Sequence, residues 1–358
     1  MPQTPSHERF VYQGLPQRVI FGAGASADLR ETLRALGCAR GLVLSTAGQR
    51  PMAETMSQAL GGMSAGVFAG AVMHTPVHAT EQAVRVYHDV RADCVVSVGG
   101  GSTIGLGKAI ALRTDAPQVA VPTTYAGSEV TPILGETRGG LKTTQRSPRA
   151  LPEVVIYDVD LTLSLPPRVS ATSGMNAMAH AVEALYARDG NPVVTLMAEE
   201  GLKALAGSLP GIVGSPRDVE ARTAAQYGAW LCGMCLATTS MALHHKLCHV
   251  LGGTFELPHA ETHAIVLPHT VAYNASYAPD AMGRLARAIG GESAVGGLYA
   301  LSRALPIPLA LKEIGMPKDG IAKAVDLAMR DPYWNPGPLD AEGIRSLIHR
   351  AYEGTPPQ

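Results

Sequence analysis

The 358-residue chain is poor in charged residues, in aromatic residues and in cysteine. Charged residues make up 16% of it, whereas an average soluble domain has roughly a quarter, so the composition favours extensive burial. The 29 basic and 30 acidic residues leave a net charge of −1. No excess of positive charge is therefore available to hold a nucleic acid or an anionic membrane. We expect small-molecule partners and, as a further partner, a second copy of the chain.

The cysteines do not have the paired spacing of a disulfide framework, and five is an odd number. The segment Met1–Arg9 is polar and lacks the apolar stretch of a signal peptide, and the longest uncharged run, Thr223–His245, is too polar for a membrane span. We therefore expect a cytoplasmic protein. Cys232 and Cys235 have the letters of a redox motif but lie inside a predicted apolar helix, so we interpret them as core residues.

Short apolar, β-branched runs alternate with helical segments in the first half of the chain. The helical segments are Thr80–Ala92 and Thr103–Arg113. Parallel strands need crossovers of about a dozen residues, which these intervals supply, so we predict a doubly wound parallel sheet with its ligand at the carboxyl ends of the strands. The predicted strands are Gly41–Thr46, Ala65–Val72, Asp93–Val98, Gln118–Val121 and Pro152–Tyr157.

After Asp160, Ala, Leu, Met and His dominate and no alternating strand recurs. The pattern predicts an α/β dinucleotide-binding domain over residues 1–161 and an all-α domain over residues 162–358. The helices predicted for the second domain are Arg168–Tyr186, Pro192–Ala206, Val219–Leu236, His244–Gly252, Ala281–Ile289, Ala294–Ala304, Asp319–Met329 and Ala341–Tyr352.

A glycine turn, Gly99, Gly100, Gly101 and Ser102, lies between a predicted strand and a predicted helix. Glycines let the backbone approach a pyrophosphate closely, and the start of a helix offers free N–H groups, so we interpret the turn as a phosphate site. Its spacing matches neither G-x-G-x-x-G nor a P-loop. The alternative is a tight turn in which Ser102 caps the helix.

The loop Pro122–Glu129 follows the next strand, and its hydroxyl groups, including those of Thr123, Thr124 and Ser128, suit contacts with ribose and adenine. The alternative is a polar loop that satisfies its own backbone. A basic run follows, which is either a solvated loop or an attractor for an anionic substrate. It comprises Arg138, Lys142, Arg146 and Arg149.

Histidine gives the strongest signal, because six of the twelve lie between His244 and His269. Asn176 and His180 are four residues apart on one predicted helix, as are His245 and His249 on another, so each pair shares a helix face. His259 follows in a predicted loop. A metal centre is the alternative to a catalytic pocket. A metal centre would be favoured by a carboxylate near the histidines, and none is near them in the sequence, because we expect Glu183 to lie on a different helix face.

These motifs together resemble the iron-containing alcohol dehydrogenase superfamily, and within it the maleylacetate reductases, over nearly the whole chain. The resemblance implies an N-terminal dinucleotide-binding domain, a helical C-terminal domain and a homodimer. It rests on Phe21–Gly24, Gly99–Ser102, Pro122–Thr124, Ser173–Tyr186, His245–His249 and Pro258–His259.

Two departures separate this chain from the metal-dependent members. Those enzymes hold a metal with one Asp and three His; here Asn176 stands at the Asp position, whereas His180, His245 and His259 match. Gly105 also replaces the usual acid after the glycine turn. An amide cannot supply the negative charge of a carboxylate, so we expect no metal, although three histidines keep zinc binding open. The alternatives are a metal-dependent alcohol dehydrogenase and, less favoured, a cyclase resembling dehydroquinate synthase.

The resemblance implies reduction of the conjugated double bond of maleylacetate, a small dicarboxylate, to 3-oxoadipate in aromatic-compound degradation, with NADH or NADPH. Ser45 leaves the choice of cofactor open. The implied catalytic residues are His180, His245, His249 and His259. The implied cofactor-binding residues are Gly99, Gly100, Gly101, Ser102, Thr123, Thr124, Ser128, Thr131 and Lys142. The implied substrate-binding residues are Asn176, Lys142 and Tyr125.

Overall fold

The computed structural model of the chain describes residues 9–139 and 141–358, with the backbone alone for Leu141 and Lys142. The described residues form two compact units. The α/β unit consists of Pro16–Val169 and Ser215–Gln226. The helical unit consists of Ser170–Gly214 and Tyr227–Gln358, with the described part of Met1–Leu15.

The α/β unit is built on a six-stranded, all-parallel sheet in the order β1-β8-β5-β4-β2-β3, and a two-stranded antiparallel hairpin of β6 and β7 accompanies it. The strands are β1 Arg18–Gly22, β2 Gly41–Leu44, β3 Ser64–Phe68, β4 Cys94–Gly99, β5 Gln118–Pro122, β6 Ile133–Arg138, β7 Leu141–Arg146 and β8 Val154–Asp158. Four helices of this unit are α1 Leu29–Ala35, α2 Arg50–Leu60, α3 Val77–Asp89 and α4 Gly101–Thr114.

The doubly wound sheet predicted from the sequence is confirmed. Its inner strands are continuous apolar runs because both faces are covered; every residue of β4 and of β5 is buried. Strand β2 pairs with β3 on one side and with β4 on the other. The chain runs outward from β2 to β3, then crosses back to β4 and continues to β5 on the other side of the sheet. The crevice at the carboxyl ends of β2 and β4 is therefore the switch point at which such sheets bind ligands.

The first half differs from the prediction in several details, and the sequence analysis also missed α1 and α2. The strand predicted at Ala65–Val72 ends at Phe68, and the sequence analysis missed β1, although Val19, Ile20 and Phe21 are apolar and β-branched or aromatic. The basic run predicted as a loop lies largely on the hairpin, where Arg138 ends β6 and Arg146 ends β7. Residues Thr143 to Arg146 are nonetheless exposed, because no third strand pairs with β7 among the described residues.

The remaining helices are α5 Pro167–Leu185, α6 Pro192–Gly214, α7 Val219–Thr238, α8 Leu243–Phe255, α9 His259–Asn274, α10 Pro279–Ala288, α11 Ala294–Ala304, α12 Gly320–Arg330 and α13 Ala341–Glu353. All eight helices predicted after Asp160 are present. The sequence analysis missed α9 and ended α6 too early; Pro268 and Pro210 lie inside these helices. His259, predicted in a loop, is the first residue of α9.

All five cysteines are buried free thiols. Cys232 and Cys235 lie in α7, and burial raises the pKa of the Cys232 thiol well above its usual value and that of the Cys235 thiol to about 12. Both therefore stay protonated and unreactive at neutral pH, as a core position requires. None of the helices in the described ranges is long and apolar enough to cross a membrane.

A buried lysine holds together the loop between β5 and β6. Lys108, on α4, is 2% exposed, and its ammonium donates to the carbonyls of Ser128, Thr131 and Ile133 and to the Thr131 hydroxyl, at 2.5 to 3.0 Å. Burial lowers the pKa of Lys108 to about 7, whereas the charge of Glu129 acts to raise it. The loop thus takes its shape from one cation with several acceptors.

We predict that Lys108→Met lowers the free energy of unfolding by about 3 kcal/mol or more, because carbonyls that now accept from the ammonium would stay buried without that donor. Urea unfolding at pH 7 measures the change. Lys203→Met is the control, since the Lys203 side chain is 73% exposed and its loss should cost no more than about 0.5 kcal/mol. Equal stabilities for the two variants would contradict this role of Lys108.

Candidate active site: a glycine turn and a histidine cluster

The glycine turn joins β4 to α4 and exposes the start of that helix. Gly99 has φ +154°, and a Cβ there would lie 2.5 Å from Thr103 Oγ1, so a larger residue does not fit. Gly100 is the N-cap of α4 and no side chain caps the helix; Ser102, the alternative cap, lies inside it. A Cβ on Gly101 would meet nothing within 4 Å. Free N–H groups at the start of a 14-residue helix thus face open space, as an anion site requires.

A pocket of about 420 Å³ lies within the α/β unit beside the carboxyl ends of β2, β5 and β8. Its lining includes Gln49, Met52, Thr123, Leu161, Ser164 and Leu165. The Gln49 amide donates to Thr123 Oγ1 at 2.7 Å, and a Cβ on Gly100 would lie 2.9 Å from the Thr124 methyl group. Apolar walls with a few amide and hydroxyl groups, next to a free helix start, fit the adenosine and pyrophosphate of a dinucleotide.

The structure thus brings together Gly99, Gly100, Thr123 and Thr124 from the predicted cofactor set. The sequence analysis missed Gln49. A signal was present, because Gln49 lies soon after β2 and β2 borders the switch point of the sheet.

The other predicted residues of this unit have different surroundings. The Thr131 hydroxyl accepts from Lys108 and donates to the Ser128 carbonyl, so Thr131 shapes the loop. Tyr125 is fully buried, and its hydroxyl accepts a hydrogen bond from the Arg222 guanidinium at 3.1 Å, an arrangement that serves packing. The side chain of Lys142 lies outside the described residues.

The histidine cluster is formed by three helices of the helical unit. His180 lies on α5, His245 on α8 and His263 on α9. The ring centroid of His245 lies 5.2 Å from that of His180 and 5.0 Å from that of His263. The ring of His263 also lies 4.4 Å from that of His259 and 4.8 Å from that of His244. The ring of His263 thus lies near the rings of four other histidines, and the sequence analysis missed it together with the helix that carries it.

Glu183 supplies the carboxylate that the sequence analysis found lacking, and the prediction that it lies on another face is wrong. Its carboxylate is fully buried and accepts from the backbone N–H groups of Ala242 and His244 and from His245 Nδ1, each at 2.7 Å. The helical spacing indicates the shared face, since Glu183 is three residues after His180 and seven after Asn176. With the proton held on Nδ1, neutral His245 presents Nε2 as an acceptor.

Four buried polar atoms of the cluster have no hydrogen-bond partner within the described part of the chain. They are Asn176 Oδ1, His180 Nδ1, His245 Nε2 and His263 Nε2. Buried polar groups are almost always paired, and leaving one unpaired costs about 1–3 kcal/mol. Their concentration in one cluster marks a place where a ligand's polar atoms complete the hydrogen bonding.

Burial keeps the inner histidines neutral. It is the main cause that lowers the pKa values of His180, His244 and His263 well below the usual histidine value, and the neighbouring histidines add to it. Neutral imidazoles act as hydrogen-bond donors or acceptors according to their tautomer, or as metal ligands.

A more accessible edge of the cluster is formed by His249 and Tyr333, both partly exposed. His249 Nδ1 lies 3.2 Å from the Tyr333 hydroxyl, and the ring of His249 lies 6.1 Å from that of His245. Tyr333 follows α12 in a loop, and the sequence analysis missed it because no local pattern links it to the histidines.

The converging groups of possible metal ligands do not coincide with the positions that the resemblance implies. Among the described residues, the ligand atoms of His180, His245 and His259 do not form a group within 4.8 Å of one another. Asn176 carries an amide. The histidine group that does converge so closely among the described residues is His244, Cys248 and His263. In that group His244 Nε2 lies 2.9 Å from His263 Nδ1, the distance of a hydrogen bond, and burial raises the pKa of the Cys248 thiol, so it is protonated.

Two family models match the chain. The iron-containing alcohol dehydrogenase model matches residues 16–159, and the C-terminal model of the Fe-containing alcohol dehydrogenase family matches residues 170–352.

Curated relatives and a solved structure match nearly end to end. A maleylacetate reductase from a Rhizobium species is 54% identical over 98% of this chain and 99% of its own length, and one from Sphingobium indicum is 55% identical over the same shares. The crystal structure of maleylacetate reductase from Agrobacterium tumefaciens is 55% identical, covers 98% of this chain and 100% of its own, and has a TM-score of 0.93.

The neutral histidines predict a loss of stability in acid. Below about pH 6.5 the unfolded chain takes up protons on these residues and the folded chain does not, so stability falls as the pH decreases. Each such histidine contributes up to about 1.4 kcal/mol per pH unit. We expect His263→Gln to reduce the slope of unfolding free energy between pH 6.5 and 5 by about one proton, measured by urea titration. Gln82→Ala, at an exposed position of α3, removes no titratable group and is the control that should keep the parental slope. An unchanged slope in His263→Gln would contradict the assignment.

Proposed function

The chain belongs to the iron-containing alcohol dehydrogenase family, among its maleylacetate reductases, and on that basis we propose that it reduces maleylacetate to 3-oxoadipate with NADH or NADPH. The observation that carries the proposal is the buried histidine cluster, whose unpartnered polar atoms suit a ligand with oxygen acceptors and donors. The enzyme is an oxidoreductase, and its proposed substrate is a small dicarboxylate.

The conjugation of the substrate explains how the reaction proceeds without a Lewis acid. When bound, the nicotinamide supplies a hydride to the alkene carbon β to the ketone. Charge then develops on the ketone oxygen as an enolate, and a proton is added at the carbon α to the ketone. The protein must therefore stabilise one oxygen and deliver one proton.

We assign the cofactor to the α/β unit. The free N–H groups at the start of α4 hold the pyrophosphate, and the pocket lined by Gln49 and Thr123 holds the adenosine. No acid stands between the end of β2 and the start of α2, so nothing there repels a 2′-phosphate, and Arg50 begins α2. Acceptance of both NADH and NADPH is the proposal that this chemistry supports.

We assign the chemistry on the substrate to the histidine cluster. Glu183 orients the His245 ring. The unpartnered nitrogens His180 Nδ1 and His263 Nε2, in the tautomers that carry a proton there, donate to the developing oxyanion. Tyr333, paired with His249 and partly exposed, is the proposed proton donor to the α carbon. His180 and His259 complete the predicted catalytic set.

Metal-independent turnover is part of the proposal. It is supported by the amide of Asn176 in place of a carboxylate and by the separation of the family-position histidine ligand atoms. A metal-dependent alcohol dehydrogenase needs the opposite arrangement, a charged and converging ligand set.

Several predictions from the sequence stay proposals. They are a domain boundary near residue 161, a homodimer, a role in aromatic-compound degradation and a cytoplasmic location. The last is supported by the five buried free thiols, since secreted proteins more often pair their cysteines.

The test of the reaction uses purified, chelator-treated protein with maleylacetate and either NADH or NADPH, followed by absorbance of the reduced nicotinamide. We expect oxidation of the cofactor with one equivalent of 3-oxoadipate formed and no effect of the chelator. Folded protein that oxidises neither cofactor would contradict the reaction. Loss of activity on chelation, with recovery on adding zinc or iron, would contradict metal independence alone.

The test of the site compares Tyr333→Phe with Tyr277→Phe, a variant of the half-exposed Tyr277. We expect Tyr333→Phe to lower kcat by about 10²-fold, because one positioned donor is removed, and to leave the Kd of NADH unchanged. Tyr277→Phe should keep the parental kcat. If Tyr333→Phe keeps the parental kcat as well, the proton comes from another group.

A further inference from the structure

Lys246 lies on α8, directly after His245 and three residues before His249. Its side chain is partly exposed, and its ammonium lies 5.5 Å from the ring centroid of Tyr333. The same tyrosine contacts His249 through its hydroxyl. A cation is therefore held at the accessible edge of the histidine cluster, against the face of the residue proposed to donate the proton.

Within the described ranges, this cation has no carboxylate partner. No Asp or Glu of the described residues forms an ion pair with Lys246, whereas other basic side chains of the helical unit do, such as Arg284 with Glu199 at 2.8 Å. Glu183, the buried acid of the cluster, has both oxygens occupied by three N–H groups. The positive charge at this edge is thus free for an anionic ligand.

The proposed substrate carries a second carboxylate close to its ketone, separated from it by one methylene group. If the ketone oxygen meets donors of the histidine cluster, this carboxylate falls beside them. A lysine ammonium on a four-carbon stem is a point charge that reaches such a group from several angles. The ring of Tyr333 limits the positions of the ammonium, which reduces the entropy lost on binding.

We propose that Lys246 binds the carboxylate of the substrate's carboxymethyl arm and so selects 4-oxo-2-enoates that carry a second acid group next to the ketone. This assignment rests on the proposed function. Lys246 does not take part in hydride or proton transfer; it sets substrate affinity and specificity. The predicted candidates for an anionic substrate, Arg138, Lys142, Arg146 and Arg149, all belong to the α/β unit, whereas Lys246 belongs to the helical unit.

The experiment compares two substrates, maleylacetate and cis-4-oxopent-2-enoate, in which a methyl group replaces the carboxymethyl arm. In the parental enzyme we expect a higher kcat/KM for maleylacetate. Lys246→Met should raise the KM for maleylacetate about 10–100-fold, with kcat changed by less than about threefold, because a charge-assisted contact made in both ground and transition states is lost. The kcat/KM for the monocarboxylate and the Kd of NADH should not change.

Two further variants separate charge from packing. Lys246→Arg keeps the charge and should recover part of the preference for the dicarboxylate, whereas Lys323→Met, on the exposed face of α12, should behave as the parental enzyme. An unchanged KM for maleylacetate in Lys246→Met, or equal losses for both substrates, would overturn the assignment. Parental enzyme that reduces neither substrate would overturn the proposed function itself, so the two failures are distinguishable.

Discussion

The carboxylate of Glu183 is the interaction on which the histidine cluster depends. It is fully buried, and such a charge costs several kcal/mol unless it is well paired. Here it accepts two backbone N–H groups at the start of α8 and the Nδ1 proton of His245. The same three bonds fix where α8 begins, how it is oriented against α5 and which tautomer His245 adopts. The positions of Lys246 and His249, on the same helix, follow from that anchor.

Desolvation gives the cluster its chemical character. A set of histidines open to water would share protons near neutral pH and repel one another once charged. Here burial lowers the pKa values of His180, His244 and His263, so the interior is neutral, and several ring nitrogens have no partner in the described part of the chain. The cost of these unpaired atoms is tolerated where a ligand supplies the missing bonds. A substrate oxyanion is such a ligand.

The α/β unit accommodates negative charge, whereas the interior of the histidine cluster is neutral. A dinucleotide brings negative charge, and the unit meets it with backbone dipoles rather than with a side-chain cation at the turn: Gly99 and Gly100 keep the start of α4 clear, and no side chain caps it. The cation that is buried nearby, Lys108, is occupied by the loop after β5. Its charge shapes the loop that begins with Thr123.

The sequence by itself determined the features that local periodicity and residue chemistry encode. These are the parallel α/β architecture, the glycine turn, and the pairing of Asn176 with His180 and of His245 with His249 on helix faces. It did not reveal α9, and so it missed His263, which lies on that helix. Only the tertiary structure joined Glu183 to His245, 62 residues away, and Tyr333 to His249, 84 residues away. A helix's own spacing specifies which side chains share its face, whereas the partner of that face is decided by the packing of many distant side chains, which no local pattern contains.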